Sequence, residues 1–151
     1  MIEFLKKGKE LNNVLMGMSV DAVYSELGEP DEIIGDDGYG YMHYGEYRYG
    51  YDINKRICEM SIEFNRLEKK YRFKDIESEK YGVQLSESFA IGKKSKIHKI
   101  IRFLNHLQLK WEANNDTDTD YLKIKIKDGP FVVFSLQNGL PFRISVVDGY
   151  Q

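Results

Sequence analysis

Little in this chain would staple, link or anchor it. One cysteine, Cys58, stands among 151 residues, so no disulfide can form within the chain and a reducing, cytosolic setting is expected. There are three prolines and no Pro/Ser-rich stretch, so no linker divides the chain. No apolar run is long enough to span a bilayer, and the opening MIEFLKKGKELNNVLMGM reads as neither a secretory nor a lipoprotein signal.

The usual patterns of chemistry are missing as well. No Gly-x-Ser-x-Gly elbow is present. Gly35, Gly38, Gly40, Gly45 and Gly50 fall between and within strand-like runs, where no helix follows to cradle a phosphate. His98 and His106 lie two turns apart on a helical stretch, roughly 12 Å of rise, too far to share a metal. His43 has no companion at ligand spacing, and Asp31, Glu32, Asp36 and Asp37 do not follow the calcium-loop order. Cys58 alternates with apolar positions and reads as a small core residue. The expectation is a chain with no catalytic residues, no metal and no cofactor. Nucleic acid is an unfavoured partner, because the basic residues surround an apolar helical stripe with no basic surface interleaved with aromatics, and the tyrosine-rich half is acidic.

What is present is an ordinary globular composition, 42% hydrophobic and 30% charged, over a length that buries a core as one domain. The net charge of −2 conceals a polar distribution. Residues 20–52 carry nine acids and one base, Arg48, whereas 93–110 carry Lys93, Lys94, Lys96, Lys99, Arg102 and Lys110 and no acid. Such a dipole either steers a charged partner to one end or is a pair of solvated faces. The most unusual stretch is DDGYGYMHYGEYRYGYD, from Asp36 to Asp52, with six of the eleven tyrosines. Tyrosine offers stiff contact area with a polar tip and serves cores and binding surfaces alike.

Two helix-then-strands units are legible. Ser19 can cap a helix with apolar positions Val20, Val23 and Leu27, stopped by Gly28 and Pro30. Ile97, Ile100, Ile101, Leu104 and Leu107 form a second stripe, with Asn105 placed like Gly28. Strand runs Tyr39–Tyr44, Glu46–Asp52 and Ile57–Phe64 correspond to Tyr121–Ile126, Phe131–Gln137 and Pro141–Val147. Their hairpins are marked by Asn54-Lys55, Asp128-Gly129 and Asn138-Gly139. Alternation puts Cys58, Met60, Ile62 and Phe64 on one face, and likewise Leu122, Ile124 and Ile126. Residues 2–14 read as a short helix or a strand. Residues 66–90 join the halves, with Arg66–Phe73 extending the third strand or opening a helix. The predicted fold is α+β, a single two-layer domain of two α-βββ repeats, about 1–68 and 69–151. The sheet is largely antiparallel with helices on one face, and has six strands if the two halves join edge to edge.

The elements Gly17, Ser19, Val23, Leu27, Gly28, Pro30 and Asp31, followed by Tyr44-Gly45, resemble the helix-and-three-strand unit of the BamE/SmpA group. β-Lactamase inhibitor protein carries that unit twice. The pattern is also similar to that of small cytosolic immunity proteins that neutralise bacterial toxins. The resemblance is clear over about residues 14–64 and weaker over 88–147, where Leu104-Asn105-His106-Leu107 replaces Leu-Gly-x-Pro. It implies inhibition of another protein by steric blocking.

The tyrosines divide. Tyr47, Tyr49 and Tyr51 share one face and read as core, with Glu46, Arg48, Gly50 and Asp52 opposite. Met42 and Tyr44 make a core pair. An exposed set of Tyr39, Tyr41, His43, Glu46 and Arg48 then remains, flanked by the acidic loop Asp31–Asp37. The predicted partner site is therefore Asp31, Glu32, Asp36, Asp37, Tyr39, Tyr41, His43, Glu46 and Arg48. Tyr39 and Tyr41 would anchor a basic protein surface and the carboxylates would steer it. Two other readings are a small-ligand sensor with a cleft lined by Tyr47, Tyr49 and Tyr51, and an assembly module pairing through a sheet edge.

Overall fold

The computed structural model describes residues 1–64, 83–86, 89–91, 94–114 and 120–149. The chain opens with α1 (Ile2–Lys7) and a small hairpin, β1 (Glu10–Leu11) and β2 (Val14–Leu15). Next come α2 (Val20–Leu27) and a meander of β3 (Glu32–Gly35), β4 (Gly40–Tyr44), β5 (Tyr47–Tyr51) and β6 (Ile57–Glu63). A separate hairpin of β7 (Val83–Ser86) and β8 (Phe89–Ile91) precedes α3 (Ile97–His106). A second meander follows, of β9 (Trp111–Asn114), β10 (Tyr121–Ile126), β11 (Phe131–Ser135) and β12 (Pro141–Val147). The residues read as Arg66–Phe73 lie outside the described ones.

Both meanders belong to one eight-stranded antiparallel sheet, ordered β3-β4-β5-β6-β12-β11-β10-β9. The halves meet where β12 pairs with β6, with Ile144 opposite Ile62 and Ser145 opposite Ser61. Both isoleucines are fully buried. The expectation of six strands was two short. The Asp31–Asp37 segment, read as a loop, contains β3, and β9 runs through residues left unassigned. Each supplies an outer strand of only four residues, too short for alternation to register as a pattern.

Local signals explain most of the elements. The Ser19 hydroxyl accepts the Ala22 N–H at 3.3 Å and starts α2. Gly28 stops it at φ +84, a conformation that disfavours any side chain. The Gly28 carbonyl then accepts the Tyr44 hydroxyl at 2.9 Å, which ties the helix end to β4. The second helix differs from expectation at its end. Asn105 is still helical, Leu107 caps, and Gln108 takes the positive φ. The Asn105 side chain instead accepts the Trp111 indole N–H at 2.8 Å.

The core gathers on one sheet face. Met42, Tyr44, Tyr47, Tyr49, Tyr51, Met60, Ile62, Val132, Phe134, Ile124, Ile126 and Ile144 form one cluster with Phe4 and Leu5 of α1, Val23 and Leu27 of α2, and Ile100, Phe103 and Leu104 of α3. The three tyrosines of β5 are thus core, as their alternation implied. Tyr49 is fully buried and donates to the Leu11 carbonyl at 3.1 Å. These rings pack in the interior, and Tyr51 also borders an open depression beside Val20 and Ile33. Cys58 departs from its expected place. The ladder pairs Gly50 with Glu59 but Tyr51 with Ile57, so Cys58 is the extra residue of a bulge. Ile57 takes the core position and Cys58 is left half-buried. Burial first, then the charges of Asp52 and Glu59, push its thiol pKa up, which disfavours a thiolate.

Candidate functional site

The sheet face opposite the core carries polar side chains, and the ladder brings them together. Tyr41 lies opposite Gly50, His43 opposite Arg48, and Arg48 opposite Ser61. Arg48 ties β5 to β6 through charge. One of its terminal nitrogens bonds the Glu59 carboxylate and the other bonds Glu63 at 2.8 Å. His43 Nδ1 lies 4.0 Å from Glu63. The guanidinium also sits over the Tyr41 ring, 4.5 Å from its centre.

From Tyr41 the chain of contacts returns to Glu59. The Tyr41 hydroxyl donates to the Tyr39 hydroxyl at 3.1 Å, and the Tyr39 hydroxyl donates to Glu59 at 3.5 Å. The two rings meet edge to face at 5.2 Å. Gly50 makes the arrangement possible. A Cβ there would meet the Cβ of Glu59 at 2.9 Å and the Tyr41 ring at 3.2 Å. Burial, then the Tyr41 hydrogen bond and the Glu59 charge, hold the Tyr39 phenol well above its ordinary pKa, so it stays a neutral donor.

This geometry splits the predicted site. Asp31, Asp36 and Asp37 are exposed, and Tyr39 is 42% exposed. Glu32 and Tyr41 are half-buried. His43 at 4% and Glu46 at 2% are buried, and the Arg48 side chain is 15% exposed. The expectation of exposure is overturned for His43 and Glu46, whereas Arg48 is half-buried, like Tyr41. Polarity alone suggested exposure, but Arg48 and His43 stand within a compensated charge cluster. Glu46 is folded down by the Gly45-Glu46 turn, where its carbonyl accepts the Glu63 N–H at 2.7 Å.

The acidic segment has internal structure too. In the hairpin between β3 and β4, one Asp36 oxygen accepts the N–H of Gly38 at 2.9 Å and of Tyr39 at 3.2 Å. Asp36 therefore shapes the turn that presents Tyr39, a role its exposure does not reveal. Gly35 closes the hairpin at φ +142, where a Cβ would run into Gly40 and the Tyr39 carbonyl. The two backbone hydrogen bonds, Gly38 first, lower the Asp36 pKa. A lowered carboxyl pKa stabilises the turn at neutral pH, and this is lost as pH falls through the lowered value. Amide exchange at Gly38 and Tyr39 is expected to quicken only below about pH 4. Asp36→Asn, which keeps an acceptor but cannot titrate, should flatten that dependence.

Sequence reasoning missed four residues. Glu59 and Glu63 complete the Arg48 cluster, and Ile33 and Ile34, 53% and 50% exposed, stand on β3 beside Tyr39. The adjacent β-branched pair ahead of Gly35 was the available signal for a strand there. Comparison of the chain with family models, curated proteins and solved structures gives no match. No helix among the described residues is long and apolar enough to cross a membrane.

Proposed function

We propose that this chain is a protein-binding inhibitor of the toxin-immunity type, acting in the cytoplasm one to one with its target, without a cofactor and without catalysing a reaction. The observation that carries the reading is the presented pair Tyr39–Tyr41. Tyr39 is exposed, both rings are held by the Arg48–Glu59 cluster beneath them, and the exposed Asp37 lies two residues before Tyr39. Rigid aromatic anchors lose little entropy on binding, and flanking carboxylates draw in a basic surface. A toxin that acts on nucleic acid has such a surface.

The resemblance to the BamE/SmpA unit and to β-lactamase inhibitor protein belongs to the same proposal. Both halves run as a helix followed by a four-stranded meander, and they meet through their last strands. That order supports reading them as one unit in tandem.

Co-expression with the protein encoded immediately upstream should yield a stable complex and restore growth. Tyr39→Ala is expected to weaken the complex at least about tenfold. Failure to bind that neighbour or any nearby toxin would overturn the proposal.

A further inference from the structure

The outer edge of β3 is built in a way that the tyrosine anchors do not explain. β3 ends the sheet, and among the described residues no strand pairs with its outer side. The Asp36 N–H bonds the Tyr39 carbonyl across the hairpin. Antiparallel alternation from that pair aims the backbone N–H groups of Glu32 and Ile34 at β4, and those of Ile33 and Gly35 outward. Edge strands are ordinarily blunted by shortness, charge, proline or a covering segment. This one is short and follows Pro30 and Asp31, yet it shows two isoleucines, both about half exposed.

Space is available beside it. On the helix side, Ile33 borders two open depressions that meet at Tyr24. One, of about 460 Å³, is lined by Gly28, Glu29 and Pro30, and the other, of about 440 Å³, by Val20, Asp21, Tyr51, Lys55 and Arg56. On the opposite face Ile34 is paired with Tyr41. A strand laid along β3 would thus send alternate side chains into the depressions and over the Ile34–Tyr41 surface. The charge around the edge selects the occupant. Asp21, Asp31, Asp36 and Asp37 are all exposed, and they outnumber the two cations at the site, Lys55, which lies over the Tyr51 ring, and Arg56, which donates to the Gly17 carbonyl. A second copy of β3 would bring like charges together, whereas a basic strand would meet opposite ones.

We infer that the outer edge of β3 takes an extended, lysine- or arginine-rich segment of another protein as an additional strand. This rests on the reading of the chain as a protein binder and specifies how the partner is held.

The test uses the full chain and an alternating Lys-Val decapeptide with blocked ends, compared with its Glu-Val counterpart. The basic peptide should slow amide exchange at Ile33 and Gly35 about tenfold, and the acidic one should leave it unchanged. Ile33→Pro removes an outward donor at a position where edge strands tolerate proline, and should abolish the effect. Ile33→Lys, which places a like charge against the peptide and alters no backbone group, should weaken it about tenfold or more. Unchanged exchange in β3, equal protection by the acidic peptide, or dimerisation through β3 would overturn the inference. The two readings fail separately. A toxin complex indifferent to Ile33→Pro and Ile33→Lys sinks the edge mode alone, and peptide protection without growth rescue sinks only the immunity reading.

Discussion

Replacing Arg48 with methionine should cost about 3–5 kcal/mol of folding stability, the loss expected when one partner of a buried charge cluster is removed. Its two carboxylate partners are largely enclosed, Glu59 at 8% and Glu63 at 13% side-chain exposure. Without the guanidinium they face each other's charge with little water to screen them. The substitution also removes the cation over the Tyr41 ring, and so loosens the Tyr41–Tyr39 pair. Arg48→Lys should recover only part of the loss, because an ammonium cannot hold two carboxylates with a planar fork. Combining Arg48→Met with Glu59→Gln and Glu63→Gln should recover more than the lysine, since it removes the uncompensated charge altogether. Urea unfolding followed by circular dichroism measures all three. A loss below about 1 kcal/mol for Arg48→Met would place the cluster with ordinary surface ion pairs.

Tyr49→Ala is the second large effect, about 3–5 kcal/mol, from the void left by a ring enclosed on every side. Tyr49→Phe separates the hydroxyl from the ring. It removes the donor to the Leu11 carbonyl and the acceptor for the Asn12 amide, 3.4 Å away, and should cost about 1–3 kcal/mol. The alkaline limb supplies an independent check. Burial holds the Tyr49 phenol well above its ordinary value. The neutral form is favoured in the folded state, so its contribution is complete below the unfolded pKa of about 10 and falls as pH rises beyond it. Tyr49→Phe should make unfolding less sensitive to pH above about 10. An unchanged alkaline limb would show that the hydroxyl already reaches water.

The β5 tyrosines also mark how far the sequence could be read. Alternation separated Tyr47, Tyr49 and Tyr51 from Arg48 and Gly50, because successive side chains on a strand point to opposite faces whatever surrounds them. The same rule separated Met42 and Tyr44 from Tyr41 and His43, and Asn138-Gly139 marked its hairpin for equally local reasons. The rule failed at Cys58, where one inserted residue reversed the order of faces. It was silent on β3 and β9, whose four residues hold too little pattern. It also could not show which polar residues were exposed. Arg48 is half-buried against Glu59 and Glu63, which lie on another strand and reach it only once β5 and β6 are in register.

By itself, then, the sequence determined the local elements of this protein: the capped α2, six of the sheet strands, their turns, and the division of the tyrosines into two faces. These depend on residues a few positions apart, and propensity and periodicity encode such relations directly. The tertiary structure alone decided that the halves join through β6 and β12. It alone enclosed His43 and Glu46 and half-buried Arg48, and it left Ile33, Ile34 and Tyr39 on an acidic edge. Those outcomes depend on strand register and on charges compensated across the sheet, and no short-range pattern in the chain carries either.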